Sequence, residues 1–284
     1  MLINDEEGED SQMESPQILK NKRYDQPSEF TANNLLQQAR RQRALPEAKI
    51  PQICVLDPDG DIVRYLVKGG IAECEPRWAC YHTLLHTFNY QGIRFGIVGL
   101  AVGAPFAVLV AEELFASGCK LLVSMTSAGQ ITPLRKPPYF VLIEKAFRDE
   151  GTSYHYLPPE DYARIDDALF NTIKGAFKEG TIPVEVGTTW TTDAPFRETR
   201  HAIRHYRSKK VCAVEMEAAG LYAYARATKR NIICFAHITN QMGKAETDFE
   251  KGPESGSTES LRVIASVAHK WTASNGQEEP KTRR

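Results

Sequence analysis

The chain has 284 residues, of which 42% are hydrophobic and 25% charged, values typical of a globular domain. Its formal net charge of −1 gives no electrostatic reason to expect binding to nucleic acid or to an anionic membrane. No segment approaches the ~20 consecutive apolar residues of a membrane-spanning helix, and the N-terminus does not resemble a signal peptide. The six cysteines are scattered without a Cys-x-x-Cys pair, which indicates reduced core thiols in a cytoplasmic protein rather than disulfides or a zinc site.

The N-terminal quarter of the chain changes from polar to apolar. Residues 1–27 are rich in acids and amides, a composition that predicts a disordered segment. An amphipathic helix is predicted within 28–45, because apolar side chains recur there at helical spacing. Residues 53–66 read as two strands joined by a tight turn at 57–60, and we predict a helix over 77–88.

Apolar runs alternate with amphipathic stretches through the remainder of the chain. Because these runs are continuous and rich in Val, Ile and Leu, they predict strands that are buried on both faces. We therefore predict an α/β fold in one domain, residues 28–271, with helices outside a mostly parallel sheet and a polar tail at 272–284. The predicted strands cover 94–100, 121–125, 139–143, 184–192, 211–216 and 232–239, and the predicted helices cover 104–117, 166–179, 195–206, 218–229 and 257–271.

Two carboxylates flank a methionine where a predicted strand gives way to a predicted helix. In a strand, side chains alternate between faces, so Glu215 and Glu217 should point the same way and Met216 the opposite way. Burial of unpaired charge costs several kcal/mol, so buried acids here need a partner, which a ligand could supply. The alternative is a solvated strand end with two ordinary surface acids.

Small and polar residues follow two other predicted strands. Gly103 is the second glycine of a Gly-x-x-x-Gly-x-Pro segment, in which glycine allows close backbone approach and the following helix N-terminus can attract an anion. Thr126, Ser127 and Gly129 lie at the end of the next strand, where hydroxyls and backbone N–H groups can hold a nucleophile or a sugar. Each segment can equally be a simple turn or a polar transition from strand to loop.

Three segments together resemble the nucleoside phosphorylase superfamily, which includes uridine phosphorylase, hexameric purine nucleoside phosphorylase and methylthioadenosine nucleosidase. They are Val-Glu-Met-Glu-Ala-Ala at 214–219, the glycine-rich segment at 99–105 with the Glu-Glu-Leu that follows it, and residues 123–131. The resemblance covers roughly 51–271. It implies one α/β domain with a mixed central β-sheet flanked by helices, subunits that form at least a dimer, and cleavage of a ribonucleoside N-glycosidic bond without a metal or an organic cofactor.

The resemblance also implies roles for individual residues around the sugar. Glu217 would be the catalytic carboxylate that holds the sugar hydroxyls, Met216 would pack against the ribose, and Glu215 would support them. Thr126, Ser127, Gly129 and Gly103 would line the same substrate site. A carboxylate suits a vicinal diol, because it can accept charge-assisted hydrogen bonds from both hydroxyls.

A base pocket is implied by the same resemblance. Phe196 would give the stacking face, Arg200 the basic partner of the base, and Thr199 would take the place of a glutamine. Arg200 and Asn240 would also act as catalytic residues that stabilise the leaving base. The local pattern also fits a capped helix, and the role that we expect for Asp193 is the N-cap of that helix. Asn240 stands where purine-cleaving members have an aspartate that protonates the purine. Since an amide cannot deliver a proton near pH 7, Asn240 favours a uridine phosphorylase-like preference for pyrimidines.

Two departures from the family concern phosphate. Ser124 stands where phosphorylases have a phosphate-binding arginine, and residues 57–61 carry three carboxylates where phosphorylases have Gly-Asp-Pro-x-Arg. Carboxylates repel a phosphate dianion, although Arg64, Arg77 or Arg94 could compensate.

We expect phosphorolysis, with phosphate as co-substrate and a small-molecule nucleoside as partner. One alternative is a hydrolytic nucleosidase, in which Asp59 or Asp61 positions a water. The other is a nucleoside-binding protein without catalysis. No binding to nucleic acid or membrane is expected.

Overall fold

The computed structural model describes residues 15–177, 182–242 and 249–275. Part of the predicted disordered segment, 1–14, and most of the predicted tail, 276–284, lie outside the described residues. Residues 15–27 include a short 3₁₀ helix, Gln17–Leu19. The division of the chain into an N-terminal segment, one domain and a tail stays a prediction.

Within the described residues the chain forms strands and helices in alternation. The strands are β1 Ile53–Asp57, β2 Glu73–Cys74, β3 Leu85–Tyr90, β4 Ile93–Gly99, β5 Leu121–Gln130, β6 Tyr139–Asp149, β7 Tyr162–Arg164, β8 Val184–Thr192, β9 Ala213–Glu215 and β10 Asn231–Gln241. The α-helices are α1 Ala32–Arg43, α2 Asp61–Lys68, α3 Ala104–Ala116, α4 Asp167–Ile173, α5 Arg200–Ser208, α6 Ala218–Thr228 and α7 Ser257–Asn275.

Five strands of the sheet close on themselves. β5 pairs with β10, β10 with β6, β6 with β8, β8 with β9, and β9 with β5 again. From β5 the sheet continues through β1, β4 and β3 to β2, and β7 lies against β6. The pairs β5–β10, β6–β8, β8–β9, β1–β5 and β1–β4 are parallel, whereas β6–β10 and β5–β9 are antiparallel. The prediction of an α/β fold with a mixed central sheet is confirmed.

Close packing of α3 on α6 positions the two most informative loops. A side chain at Gly220 would bring its Cβ within 2.8 Å of the Ala104 Cβ, so only glycine allows the two helices to approach this closely. Both residues lie in the first turn of their helices. The contact therefore brings the N-terminus of α3, preceded by Gly103, next to that of α6, preceded by Glu217.

The structure corrects the sequence analysis in the first third of the domain. Residues 61–68 form helix α2, not the predicted second strand. The Asp57 carboxylate accepts hydrogen bonds from the backbone N–H groups of Gly60 and Val63, at 3.1 and 2.9 Å, and so satisfies donors at the helix start. Gly60 has φ +72°, the left-handed conformation that glycine adopts without strain.

A second correction concerns the predicted helix at 77–88. Its last residues belong to strand β3, which pairs antiparallel with β4. Leu85 and Phe88 are both buried, a spacing that is also compatible with a helix face, which explains the error. The hydrogen-bonding edge of β4 decides the conformation instead.

Candidate functional site

The carboxyl ends of several strands meet at one edge of the sheet. In open α/β sheets this edge is where ligands bind, because the loops that leave parallel strands converge there. Here the loop after β1, the N-terminus of α3, the second half of β5 and the β9–α6 junction come together. Hydrogen bonds join the first of these to the third, Asp59 to Ser127, and the second to the fourth, Gly103 to Glu217.

Glu217 is a buried carboxylate with one oxygen available. Its side chain is 1% exposed. One oxygen, Oε1, accepts a hydrogen bond from the backbone N–H of Gly103 at 2.8 Å, and the other, Oε2, has no partner among the described residues. Burial and then the charge of Glu215 raise the pKa of Glu217 to about 8, although the hydrogen bond from the Gly103 N–H lowers it. The free oxygen can therefore accept hydrogen bonds from a bound ligand.

Glu215 is equally buried, but all its acceptor positions are used. One oxygen accepts from the hydroxyls of Thr189 and Thr191, at 3.0 and 2.5 Å. The other accepts from the backbone N–H groups of Glu217 and Ala218, at 2.8 and 2.7 Å. Burial raises the pKa of Glu215, and these hydrogen bonds lower it. Glu215 therefore fixes the start of α6, which in turn orients Glu217.

The two acids do not act as a same-face pair of a strand. β9 ends at Glu215, and Glu217 has φ −126° and ψ −37° as the residue before α6. The alternation of side chains between the two faces of a strand therefore ends before Glu217. Met216, between them, is half-buried.

Gly103 satisfies two requirements at the N-terminus of α3. Its φ of +85° lies in the region that favours glycine. Its N–H donates a hydrogen bond to Glu217. Pro105 lies in the first turn of α3, where the missing N–H of proline removes no hydrogen bond of the helix. The carboxylate of Glu217 thus lies at the positive end of a helix, which stabilises its ionised form.

The two hydrogen-bond donors of Ser127 are occupied by the carboxylate of Asp59. The backbone N–H and the hydroxyl of Ser127 donate to the two oxygens of Asp59, at 2.9 and 3.0 Å. The ammonium of Lys251 lies 3.5 Å from Asp59 and 2.5 Å from Asp61. The guanidinium of Arg64 also contacts Asp61, at 2.5 Å. Lys251 could not be predicted from the sequence, because an isolated lysine in a loop has no distinguishing local pattern.

Buried polar groups continue along the neighbouring strands. Ser124, at the expected arginine position, is 1% exposed, and its hydroxyl has no partner among the described residues. Thr126 is buried beside Glu217. His237 stacks on Phe140 with ring centroids 4.7 Å apart. Burial, and then the charge of Lys251, lower the pKa of His237 to about 4, so this imidazole is neutral at physiological pH.

The residues predicted to bind the base lie on the surface. Phe196 is 100% exposed, and Arg200, the first residue of α5, is also exposed. Thr199 is the N-cap of α5, and its hydroxyl accepts from the N–H of Ala202 at 3.2 Å. Within the described residues, no hydrogen bond links these side chains to Glu217.

The expected cap role of Asp193 is wrong. Its carboxylate accepts from the backbone N–H of Gly151 at 2.8 Å, and helix α5 begins seven residues later, at Arg200, with its own cap, Thr199. A short 3₁₀ helix, Pro195–Arg197, lies between them. Asp193 thus joins two loops, which a local sequence pattern does not reveal.

Asn240 and Gly129 are neighbours at the ends of β10 and β5. They are paired in the register of these strands. The Asn240 amide contacts the sulfur of Met242 at 3.7 Å, and its oxygen accepts from the hydroxyl of Thr239 at 3.2 Å. A Cβ at Gly129 would lie 2.4 Å from the Met242 sulfur. Gly129 therefore makes room for Met242, and Asn240 keeps unused donor capacity.

Two further features are absent from the described part of the chain. There, no group of three or more His, Cys, Asp or Glu side chains is arranged to hold a metal ion. Across the same residues, no helix is both long and apolar enough to cross a membrane.

Comparison with known proteins identifies the family. The model of the phosphorylase superfamily matches residues 53–269, and this chain belongs to that superfamily. A uridine phosphorylase of Thermococcus kodakarensis is 26% identical over 235 residues, 72% of this chain and 84% of the relative. A DeoD-type purine nucleoside phosphorylase of Exiguobacterium sp. is 30% identical over 225 residues, 78% of this chain and 94% of the relative.

Two solved structures show the same fold. A uridine phosphorylase of Vibrio fischeri, complexed with 6-hydroxy-1-naphthoic acid, matches with a TM-score of 0.65 and 16% identity, covering 82% of this chain and 99% of that one. A 5′-methylthioadenosine/S-adenosyl homocysteine nucleosidase of Campylobacter jejuni matches with a TM-score of 0.64 and 17% identity, covering 78% and 100%.

These findings confirm the predicted family and the prediction that the chain is an enzyme of the nucleoside phosphorylase and nucleosidase class. The roles of individual residues, subunit association and a cytoplasmic location stay predictions.

Proposed function

We propose that this protein cleaves the N-glycosidic bond of a ribonucleoside. The observation that carries the proposal is the free oxygen of Glu217, in a carboxylate that is 1% exposed and lies at the carboxyl edge of the sheet. A buried polar atom without a partner costs about 1–3 kcal/mol, and the hydroxyls of a sugar would remove that cost. Glu215 has no such capacity, because its oxygens already accept four hydrogen bonds.

Cleavage needs a negative charge whose contacts with the sugar become stronger as the N-glycosidic bond breaks. When the base leaves with the bonding electron pair, positive charge develops at C1′ and the ring oxygen of the sugar. Ionised Glu217 would hold the sugar diol against that charge, with the diol as donor. Asn240 would donate a hydrogen bond to the leaving base, which then takes its proton from solvent.

Phosphate is the nucleophile that we propose first. The two sequence relatives are named phosphorylases. An oxygen of phosphate would form the new bond to C1′, so that the products are the free base and ribose 1-phosphate. The N–H and hydroxyl of Ser127 are suitable donors for an oxyanion, and Lys251 lies within reach of them through Asp59.

Hydrolysis is a second candidate, favoured by one specific observation. Asp59 already occupies both donors of Ser127, at 2.9 and 3.0 Å. A carboxylate there can accept a proton from a water that attacks C1′, and the products would then be the free base and ribose.

We further propose a uridine phosphorylase-like preference for pyrimidine nucleosides. Asn240 supports this preference, because an amide cannot act as the acid that purine cleavage uses. Phe196, Thr199 and Arg200 remain the proposed base-binding residues. These side chains are exposed and so are accessible to a bound nucleoside.

A nucleoside panel tests the reaction. Uridine, thymidine, inosine, adenosine and 5′-methylthioadenosine are each incubated with the protein, with and without phosphate, and the free base and the 1-phosphate of the corresponding sugar are measured. We expect base release from uridine that depends on phosphate and saturates only at high phosphate concentration. Base release at full rate without phosphate would select hydrolysis, and nucleoside binding without base release would indicate a binding protein.

The substitution Asn240→Asp tests the preference for pyrimidines. A carboxyl group at this half-buried position can acquire a raised pKa and serve as a general acid. We expect the ratio of kcat/KM for inosine to that for uridine to rise by about tenfold. Adenosine and inosine as better substrates than uridine for the unaltered protein would contradict the proposed preference.

A further inference from the structure

We infer that Asp59 and Lys251 form an exchangeable ion pair, in which an incoming phosphate displaces Asp59 from Ser127 and takes Lys251 as its counter-charge. This inference rests on the proposed phosphorolysis. It assigns the function of the missing phosphate arginines to a lysine from the opposite end of the chain.

Asp59 accepts from Ser127 the same hydrogen bonds that a phosphate would accept. Its two oxygens accept from two donors of one residue, the backbone N–H and the hydroxyl. A phosphate can accept from the same two donors with two of its own oxygens. The Asp59 side chain is 30% exposed, so it can turn into solvent without leaving a buried charge behind.

Lys251 is held by a second acid, which does not depend on Asp59. Its ammonium lies 2.5 Å from an Asp61 oxygen, compared with 3.5 Å from Asp59. Arg64 contacts the other oxygen of Asp61. When Asp59 leaves, Lys251 therefore stays in place as the cation beside Ser127. The third acid of the loop, Asp57, is committed to the start of α2 and does not compete for Lys251.

The packing around Gly256 fixes the chain segment that carries Lys251. Gly256 has φ +73°, and a Cβ there would lie 2.3 Å from the His237 ring and 2.8 Å from the carbonyl oxygen of Lys251. Only glycine therefore allows this segment to lie on His237. Because burial keeps that imidazole neutral, with a pKa of about 4, Lys251 and not His237 can balance a phosphate there at neutral pH.

The pair also explains how a site lined by acids could use phosphate. Free phosphate must compete with an attached carboxylate for the donors of Ser127, so its apparent affinity is reduced by that competition. Once the exchange has occurred, Lys251 pairs with the phosphate in place of Asp59, while it keeps its contact with Asp61. Asp59 would thus set the phosphate concentration at which the enzyme becomes active.

Single substitutions at the two positions should change the KM for phosphate in opposite directions. We expect Lys251→Met to raise it at least tenfold and Lys251→Arg to restore most of the affinity. Asp59→Asn should lower it severalfold, because a neutral amide competes less well for the same donors. Lys120→Met, which removes an exposed lysine elsewhere, is the matched control and should leave the KM unchanged.

Calorimetric titration of each variant with inorganic phosphate tests the pair without any nucleoside. Weaker binding to Lys251→Met and tighter binding to Asp59→Asn are expected. Equal binding to all variants, or no binding to any, would overturn the inference. So would a loss of base release in Asp59→Asn with unchanged phosphate affinity, because Asp59 would then act on water. Failure of the unaltered protein to release base from any nucleoside would instead defeat the proposed function, whatever the titration gives.

Discussion

The β9–α6 junction and the loop after β1 are both acidic, but they satisfy their carboxylates differently. At the junction, Glu217 keeps an oxygen without a partner inside the protein. In the loop, Asp59 is bound to Ser127 and Asp61 to Lys251. The first region is thus prepared for a neutral donor such as a sugar hydroxyl, whereas the second can receive an anion only by exchange.

The difference has an energetic consequence. Folding leaves the Glu217 oxygen desolvated, and a ligand that donates to it recovers about 1–3 kcal/mol. An anion that displaces Asp59 gains less, because it replaces hydrogen bonds that already exist. Sugar binding should therefore contribute more to affinity than binding of the nucleophile does.

The largest expected effect is the loss of catalysis in Glu217→Gln. The glutamine amide would direct N–H donors at hydroxyls that must themselves donate, so contacts that strengthen in the transition state are lost. We expect kcat/KM for the nucleoside to fall by about 10²- to 10³-fold, measured as release of free base.

Glu113→Gln is the matched control for this substitution. Glu113 on α3 is also 1% exposed, and neither of its carboxylate oxygens has a partner among the described residues. It should lose far less activity than Glu217→Gln. Near-normal turnover by folded Glu217→Gln would show that the junction is not the sugar site.

The pH dependence of the free energy of unfolding should report the protonation of Glu217. Because the pKa of Glu217 is about 8 in the folded protein, against 4.5 normally, the folded state binds its proton more tightly than the unfolded state does. The free energy of unfolding should therefore fall as pH rises from about 5 to about 8. The share from Glu217 is on the order of 3 kcal/mol.

Asp57, with its pKa raised to about 7, contributes in the same direction, so the two must be separated by substitution. Urea unfolding of Glu217→Gln at pH 5 and pH 8 should show a weaker fall than the unaltered protein. In addition, kcat/KM of the unaltered protein should rise toward pH 8, as Glu217 ionises. An equal fall in stability in both proteins would exclude a raised pKa at Glu217.

A smaller effect, on stability alone, is expected for Glu215→Gln. Two backbone N–H groups and two hydroxyls point at this carboxylate. The single oxygen of glutamine cannot accept from both sides, and its amide N–H groups would face other donors. We expect a loss of about 2 kcal/mol in the free energy of unfolding, measured by urea titration at pH 7. A more destabilising effect of Glu217→Gln than of Glu215→Gln would reverse the comparison.

The core elements could be predicted from sequence because their signals are local. Helix α3, helix α6 and strand β8 begin within a residue of their predicted positions. Continuous apolar or Ala-rich runs decide such elements. Helix α2 and strand β3 could not be predicted, since the capping Asp57 and the edge of β4 determine their conformations.

The different roles of the residues in the site depend on contacts between residues that are far apart in the sequence. Gly103 lies 114 residues before Glu217, and Asp61 lies 190 residues before Lys251. Local spacing identified both glutamates as candidates but could not decide which would keep a free oxygen. It gave no signal for Lys251 at all.

The smallest expected effect is that of Phe196→Ala, which probes whether a third region joins the site. Phe196 is 100% exposed, so its removal should leave the free energy of unfolding unchanged within about 0.5 kcal/mol. If the ring stacks on the base in the complex, the KM for the nucleoside should rise about fivefold to tenfold, near the lower end of the ~1–3 kcal/mol that stacking contributes. Leu134→Ala, at another exposed apolar residue, should change neither quantity. An unchanged KM in Phe196→Ala would limit the site to the two acidic regions, and base recognition would then have to come from Asn240 and its neighbours.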